Sequence, residues 1–224
     1  MSEFDVTLTF DNGPEPEVTP FVLDVLRRHD IQATFFVLGE KLVDGTRKPL
    51  LRRARDEGHW VGNHTFSHVP LGTTPDRKTA EFEIGRTQEL IGDAAHENRL
   101  FRPTGGDGTL GPSLLSAAAA NYLKEGGYSV VLWNAIPEDW LYPDGWVDTA
   151  VEQCVSQEHA AVVLHDLPTG AMNNLERFIW AIRMRGGRFV QAFPESCLPL
   201  NRGIERTSLT PYVSDPEFLS TKEC

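Results

Sequence analysis

Two histidines, His64 and His68, stand four residues apart in the stretch NHTFSH. If a helical turn follows the strand leading into them, both imidazoles project from one face, as two metal ligands require. The bland alternative is a pair of surface or hydrogen-bonded histidines, and an isolated H-x-x-x-H does not separate the two. Asp11 closes a β-prone apolar run and is followed at once by Asn12, Gly13 and Pro14. That is strong turn chemistry, because glycine tolerates positive φ and proline fixes φ. The Asp11 carboxylate therefore stands where a strand stops, either capping a turn or doing chemistry beside an unusual amide. Further along come Arg102 in FRPTGG, Asp139 and Trp140 in WNAIPEDW, and His165 and Asp166 in VVLHD. Each has an ordinary reading too. Arg102 can be a surface cation or a buried partner of Asp11 or Asp139, Trp140 can be core, and Asp166 can cap the turn after its strand.

The elements that must position these groups alternate in type. Strand-like segments fall at 5–10, 33–38, 59–64, 99–103, 128–133, 160–166 and 188–193, and helix-like segments at 17–30, 48–58, 75–95, 111–127, 145–159 and 173–187. In the first helix Val22, Leu23 and Leu26 share a face. About seven β/α repeats with short connections mean a parallel sheet, open or closed into a barrel. In such a barrel the C-terminal strand ends converge on one face. Asp11 and Asn12, His64 and His68, Arg102, Asp139 and Trp140, and His165 all fall at such ends. Trp60 and Trp133, embedded in strands, read as packing, and Asp107 in GGDG reads as a loop residue. No G-x-G-x-x-G follows the first strand and no P-loop is present, so nucleotide-binding variants of the fold lose support. Residues 1–198 read as one barrel domain and 199–224 as an irregular tail, packed on the barrel or on a partner subunit of a homo-oligomer.

Bulk properties narrow the class. The chain has 224 residues, 40% hydrophobic and 24% charged, enough for an ordinary single-domain core. A net charge of −11 argues against binding nucleic acid or an anionic membrane surface. No apolar stretch is long enough to span a bilayer, and the N-terminus lacks the basic and apolar regions of a signal peptide. Cys154, Cys197 and Cys224 are odd in number and widely spaced, which fits neither a disulfide framework nor a zinc ribbon. A reducing, cytoplasmic setting is expected.

TFDNGP, NHTFSH, FRPTGG, WNAIPEDW and VVLHD resemble, in order and spacing, the five motifs of the NodB-like polysaccharide deacetylases, carbohydrate esterase family four. The resemblance runs from about residue 5 to 193 and implies an α/β fold, a single-domain distorted (β/α)7 barrel that removes N- or O-linked acetyl groups from carbohydrates with a divalent metal. By position it implies Asp11 as catalytic base, His165 as general acid, Arg102 orienting the base and Asp139 tuning the acid. It implies His64, His68 and Asn12 at the metal, with zinc expected and cobalt or nickel as substitutes. Trp140 and Leu164 match walls of the acetyl pocket, and Gly105 offers a backbone N–H to the oxyanion. The chemistry is coherent: amide hydrolysis needs a nucleophilic water, an electrophile at the carbonyl and a proton for the amine.

Two positions depart from the family pattern. Asn12 replaces a second aspartate in motif one, so its amide oxygen brings no charge and the metal should be weakly held. Thr104 and Gly105 replace a proline and an aromatic, removing an expected sugar-stacking wall. A metal-independent hydrolase of a small cyclic amide, like the allantoinases of the same superfamily, and a catalytically dead carbohydrate-binding relative are the competing expectations.

Overall fold

The computed structural model describes residues 3–74, 76–215 and 217. The first strand, β1 (Phe4–Asp11), is the strand around which the barrel is registered. Val6, Leu8 and Phe10 point out to the helical layer, and Thr7, Thr9 and Asp11 point into the barrel, as the period of two requires. β1 is flanked in parallel by β6 (His159–His165), in register from Asp5↔His159 to Asp11↔His165. Its other edge is shared: β2 (Thr34–Val37) pairs with Thr9–Asp11, and β7 (Gly187–Phe189) pairs with Phe4–Val6. β3 (Trp60–Asn63), β4 (Leu100–Phe101) and β5 (Ser129–Val130) continue the parallel series. Beyond β5 the chain reaches Ala135, which bridges Val162 of β6 and closes the ring. The Ala135 N–H donates to Ala161 O at 3.2 Å, and the Val163 N–H donates to Ala135 O at 3.0 Å. The fold is a distorted (β/α)7 barrel, its distortion being that β7 joins only the lower half of β1.

Two strands are far shorter than their apolar runs. The β4 ladder stops at Phe101 because Arg102 turns inward and Pro103 has no N–H to donate. After β5 the carbonyls of Val131 and Leu132 accept from the Arg102 guanidinium instead of a neighbouring strand.

Outside the ring lie α1 (Thr19–Arg28), α2 (Lys48–Asp56), α5 (Ala117–Glu125), α6 (Trp146–Val155) and α7 (Leu175–Arg183). The helix expected at 75–95 is a run of α3 (Arg77–Ala80), a π-helical segment (Glu81–Arg86) and α4 (Thr87–Ile91), with residue 75 outside the described residues. Val22, Leu23 and Leu26 of α1 pack with Phe178 and Ile179 of α7 and the outer face of β1. Among the described residues no helix is long and apolar enough to cross a membrane.

Part of the segment read as an irregular tail has regular structure. β8 (Leu200–Asn201) pairs antiparallel with β5 and forms a hairpin with β9 (Ile204–Glu205). Val213 bridges Leu115, and Leu200, Leu209 and Val213 are buried. Two-residue ladders are too short to leave a periodic signal. Residues 216 and 218–224, Cys224 included, lie outside the described residues.

Gly62 in β3 is a point of close approach, since a Cβ there would lie 2.6 Å from the Phe36 ring and 3.1 Å from Leu100 O. Phe36 in turn lies under Arg102, whose guanidinium carbon is 4.2 Å from the ring centroid. Gly62→Ala is expected to destabilise the protein by about 1–3 kcal/mol, the usual cost of overpacking a filled core, measured as a lower urea midpoint with unchanged slope.

Candidate active site

Arg102 is the largest polar side chain of the interior and has no exposed surface. Its Nη1 donates to Asp11 Oδ1 at 2.9 Å and to Thr9 Oγ1 at 2.5 Å; Nε donates to Val131 O and Nη2 to Leu132 O, each at 3.2 Å. Burial pulls its pKa down, and the Asp11 carboxylate opposes that. The pair fixes one oxygen of Asp11; the other, Oδ2, lies 3.7 Å from His64 Nε2.

The loop carrying both histidines is clamped from below. Asn63 closes β3, accepts the Thr65 N–H at 3.0 Å and donates to Ile84 O at 2.8 Å. Glu83, buried on the π-helical segment, accepts the Phe66 and Ser67 N–H groups at 2.9 Å and the Ser67 hydroxyl at 2.7 Å. Two neighbouring residues of the π-helical segment thus hold one loop, Glu83 by its carboxylate and Ile84 by its carbonyl, which also accepts a backbone N–H of its own segment. Glu83 escaped the sequence reading, although a charged residue three after Ala80 and one before Ile84, on a buried helix face, is a readable signal.

His64 and His68 stand edge to face with ring centroids 5.2 Å apart. His64 Nδ1 must donate to the carbonyl of Arg102, 2.9 Å away, which leaves Nε2 as a free lone pair. Burial drives His64 down to about 4, and burial also lowers His68, so both rings are neutral at neutral pH, the form that binds metal. The Asn12 Oδ1 atom is buried and has no hydrogen-bond partner among the described residues. Two imidazole nitrogens and an unspent amide oxygen suit a divalent ion. They form a neutral set, and no group of three or more His, Cys, Asp or Glu suited to a metal occurs among the described residues. Asn12, Thr65, His68 and Glu138 all have positive φ, so four of the seven such non-glycine residues among the described residues lie at these strand ends.

Beside Asp11, in register on the adjacent strand, is His165. Asp139, fully buried, accepts from His165 twice: the backbone N–H at 2.9 Å and ring Nδ1 at 2.8 Å. Burial disfavours charge on the imidazole, but the Asp139 hydrogen bond and charge outweigh it, leaving the pKa raised. Trp140 stands edge-on to the ring with centroids 4.9 Å apart. Asp166 faces away: burial pushes it up to about 7, Thr19 donates its hydroxyl to Oδ2, and its carboxylate fills the space where Gly13 has no Cβ.

The resulting cleft is open to solvent and has a cavity volume of about 160 Å³. Asp11, Asn12, His64, His68, Gly105, Trp140 and His165 all line it, while Arg102 and Asp139 sit beneath without surface of their own. Leu164 does not line it. With His165 pointing inward, strand parity sends Leu164 outward into the helix-facing core, and Val163 and Leu167 take the wall position. Trp133, read as packing, is also a wall residue. Its ring closes on Gly105, where a Cβ would meet it at 2.6 Å, and its Nε1 donates to Gly108 O at 2.9 Å. An aromatic wall is therefore supplied beside Gly105 from the chain after β5.

The polysaccharide deacetylase family model matches residues 1–131. A peptidoglycan-N-acetylglucosamine deacetylase of Listeria monocytogenes is 31% identical over 83% of this chain, which spans only 37% of that protein's length. A chitooligosaccharide deacetylase of Rhizobium leguminosarum bv. trifolii is 37% identical over 72% of this chain and 71% of its own. The structure of a family 4 carbohydrate esterase from Streptomyces lividans in complex with acetate superposes with a TM-score of 0.71 at 27% identity, over 87% of this chain and 96% of that one. With barrel, cleft and sequence in agreement, the chain belongs to the polysaccharide deacetylase family, carbohydrate esterase family four.

Proposed function

We propose that the chain hydrolyses the acetyl amide of N-acetylglucosamine residues in a glycan, with Asp11 as base and His165 as acid. One observation carries this reading: Asp11 and His165 are register partners on adjacent strands, about 4.8 Å apart by strand spacing, and each is held by a buried partner of opposite charge. Arg102 compensates the Asp11 carboxylate and fixes its direction. Asp139 favours the protonated form of His165 and, by taking its Nδ1–H, leaves Nε2–H for the cleft. Asp11 takes a proton from the attacking water as its oxygen bonds to the acetyl carbon. His165 gives a proton to the nitrogen as the C–N bond breaks, so acetate and a free amine leave. Trp140, Val163 and Leu167 offer the apolar wall for the acetyl methyl, the part expected of Leu164. The names of the Listeria and Rhizobium relatives support the substrate class.

His64 Nε2, His68 and Asn12 Oδ1 are the groups that would hold a divalent ion, zinc by preference, which would polarise the acetyl carbonyl and acidify the attacking water. The neutrality of this set favours metal-independent hydrolysis as a second reading, and activity that persists in chelator distinguishes it.

Three measurements test the assignment. Acetate release from N-acetylated chito-oligosaccharides is expected to fall by about 10²–10⁴-fold in Asp11→Asn, the range for loss of a general base; an undiminished rate removes Asp11 from the role. The rate should vanish as pH rises through the His165 pKa, because the acid must be protonated. Asp139→Asn removes the main cause raising that pKa, so the basic limb of the kcat/KM profile should move to lower pH. Calorimetric zinc titration of the metal-stripped protein should show one site, lost in His64→Ala and tightened about tenfold or more in Asn12→Asp, where a charge joins a neutral donor set.

A further inference from the structure

The catalytic cleft does not end at His165. Leu167, one of its walls, is also a wall of a second groove of about 200 Å³ between the start of α1 and the loop after β6. Phe21, 40% exposed, and Val18 form one side of this groove, and Met172, 2% exposed, lies under it. Glu17 and Asn173 stand at its rim, exposed, and neither side chain makes a hydrogen bond or ion pair among the described residues. An exposed aromatic beside an otherwise apolar trough, flanked by uncommitted planar polar groups, suits a pyranose ring. The ring's C–H face lies on the aromatic and its hydroxyls reach the amide and carboxylate.

We infer that this groove is a subsite for a neighbouring sugar of the glycan chain, with Phe21 as its stacking platform. The inference rests on the proposed deacetylase reading for the identity of the ligand and on the shared Leu167 wall for its path. A chain seated at the acetyl pocket passes over Leu167 and lays its next ring against Phe21. Substrates long enough to reach Phe21 then gain affinity that a short substrate does not.

The test compares N-acetylated chitobiose with chitohexaose in wild type, Phe21→Ala and Phe21→Trp. In Phe21→Ala the ratio of kcat/KM for the hexamer to that for the dimer should fall by about tenfold, the worth of one aromatic contact, and Phe21→Trp should restore it. An unchanged ratio, or equal losses on both substrates, overturns the subsite. Calorimetric binding of chitohexaose to wild type and Phe21→Ala is read alongside. If no acetate is released from any substrate, the deacetylase reading fails. A tenfold weaker hexamer complex in Phe21→Ala then still upholds the groove, and equal or absent binding overturns it.

Discussion

A guanidinium with no access to water organises this protein. Removing such a charge from solvent costs several kcal/mol unless its hydrogen-bonding capacity is met. Arg102 is met by Asp11 and Thr9 of β1, by two carbonyls of the chain after β5, and by the face of Phe36 from β2. These partners come from three different parts of the ring, so the full set can form only in a closed barrel. The shortness of β4 and β5 answers the same demand, because the carbonyls of Val131 and Leu132 serve the guanidinium in place of a strand.

Arg102 also joins the two halves of the site. Its side chain orients Asp11 and its backbone carbonyl holds His64 by Nδ1. The direction of the carboxylate and the tautomer of the histidine are thus set by one residue. Asp139 does for His165 what Arg102 does for Asp11, with the sign reversed. It grips the residue by both backbone and ring, so the ring cannot swing without breaking a buried bond. The left-handed backbone at Asn12, Thr65, His68 and Glu138 is consistent with strain concentrated where these groups must converge.

Much of this was legible in the chain. Strand ends, read through barrel geometry, brought Asp11, Asn12, His64, His68, Arg102, Asp139, Trp140 and His165 to one face, and the family resemblance added Gly105; the structure puts Arg102 and Asp139 beneath the cleft that the others line. Failures came where a short pattern hides direction. Leu164 sits one residue from His165, and a single step along a strand reverses the face. Trp133 in an apolar run looks like core until the chain beyond β5 is seen to leave the ladder and line the opening. Glu83 was a readable charge on a buried helix face that escaped notice, and the π-helical turn that aims it depends on a registry that helical periodicity does not encode. The hairpin at 200–205 was lost because a two-residue ladder has no period.

That hairpin reaches the centre of the molecule. Leu132, whose carbonyl accepts from Arg102, donates its own N–H to Cys197 O at 2.8 Å, and β8 begins three residues later against β5. Arg102 therefore depends on contacts that span from residue 9 to residue 197. During synthesis, N-terminal strands and helices can assemble early, but the full set of contacts around Arg102 and the Asp11 carboxylate it holds is complete only once the chain has been made past Cys197. Such long-range closure is slow compared with local helix formation. A nascent chain that already carries Asp11, His64, Arg102 and His165 still lacks the Cys197 contact that braces Leu132 behind the guanidinium.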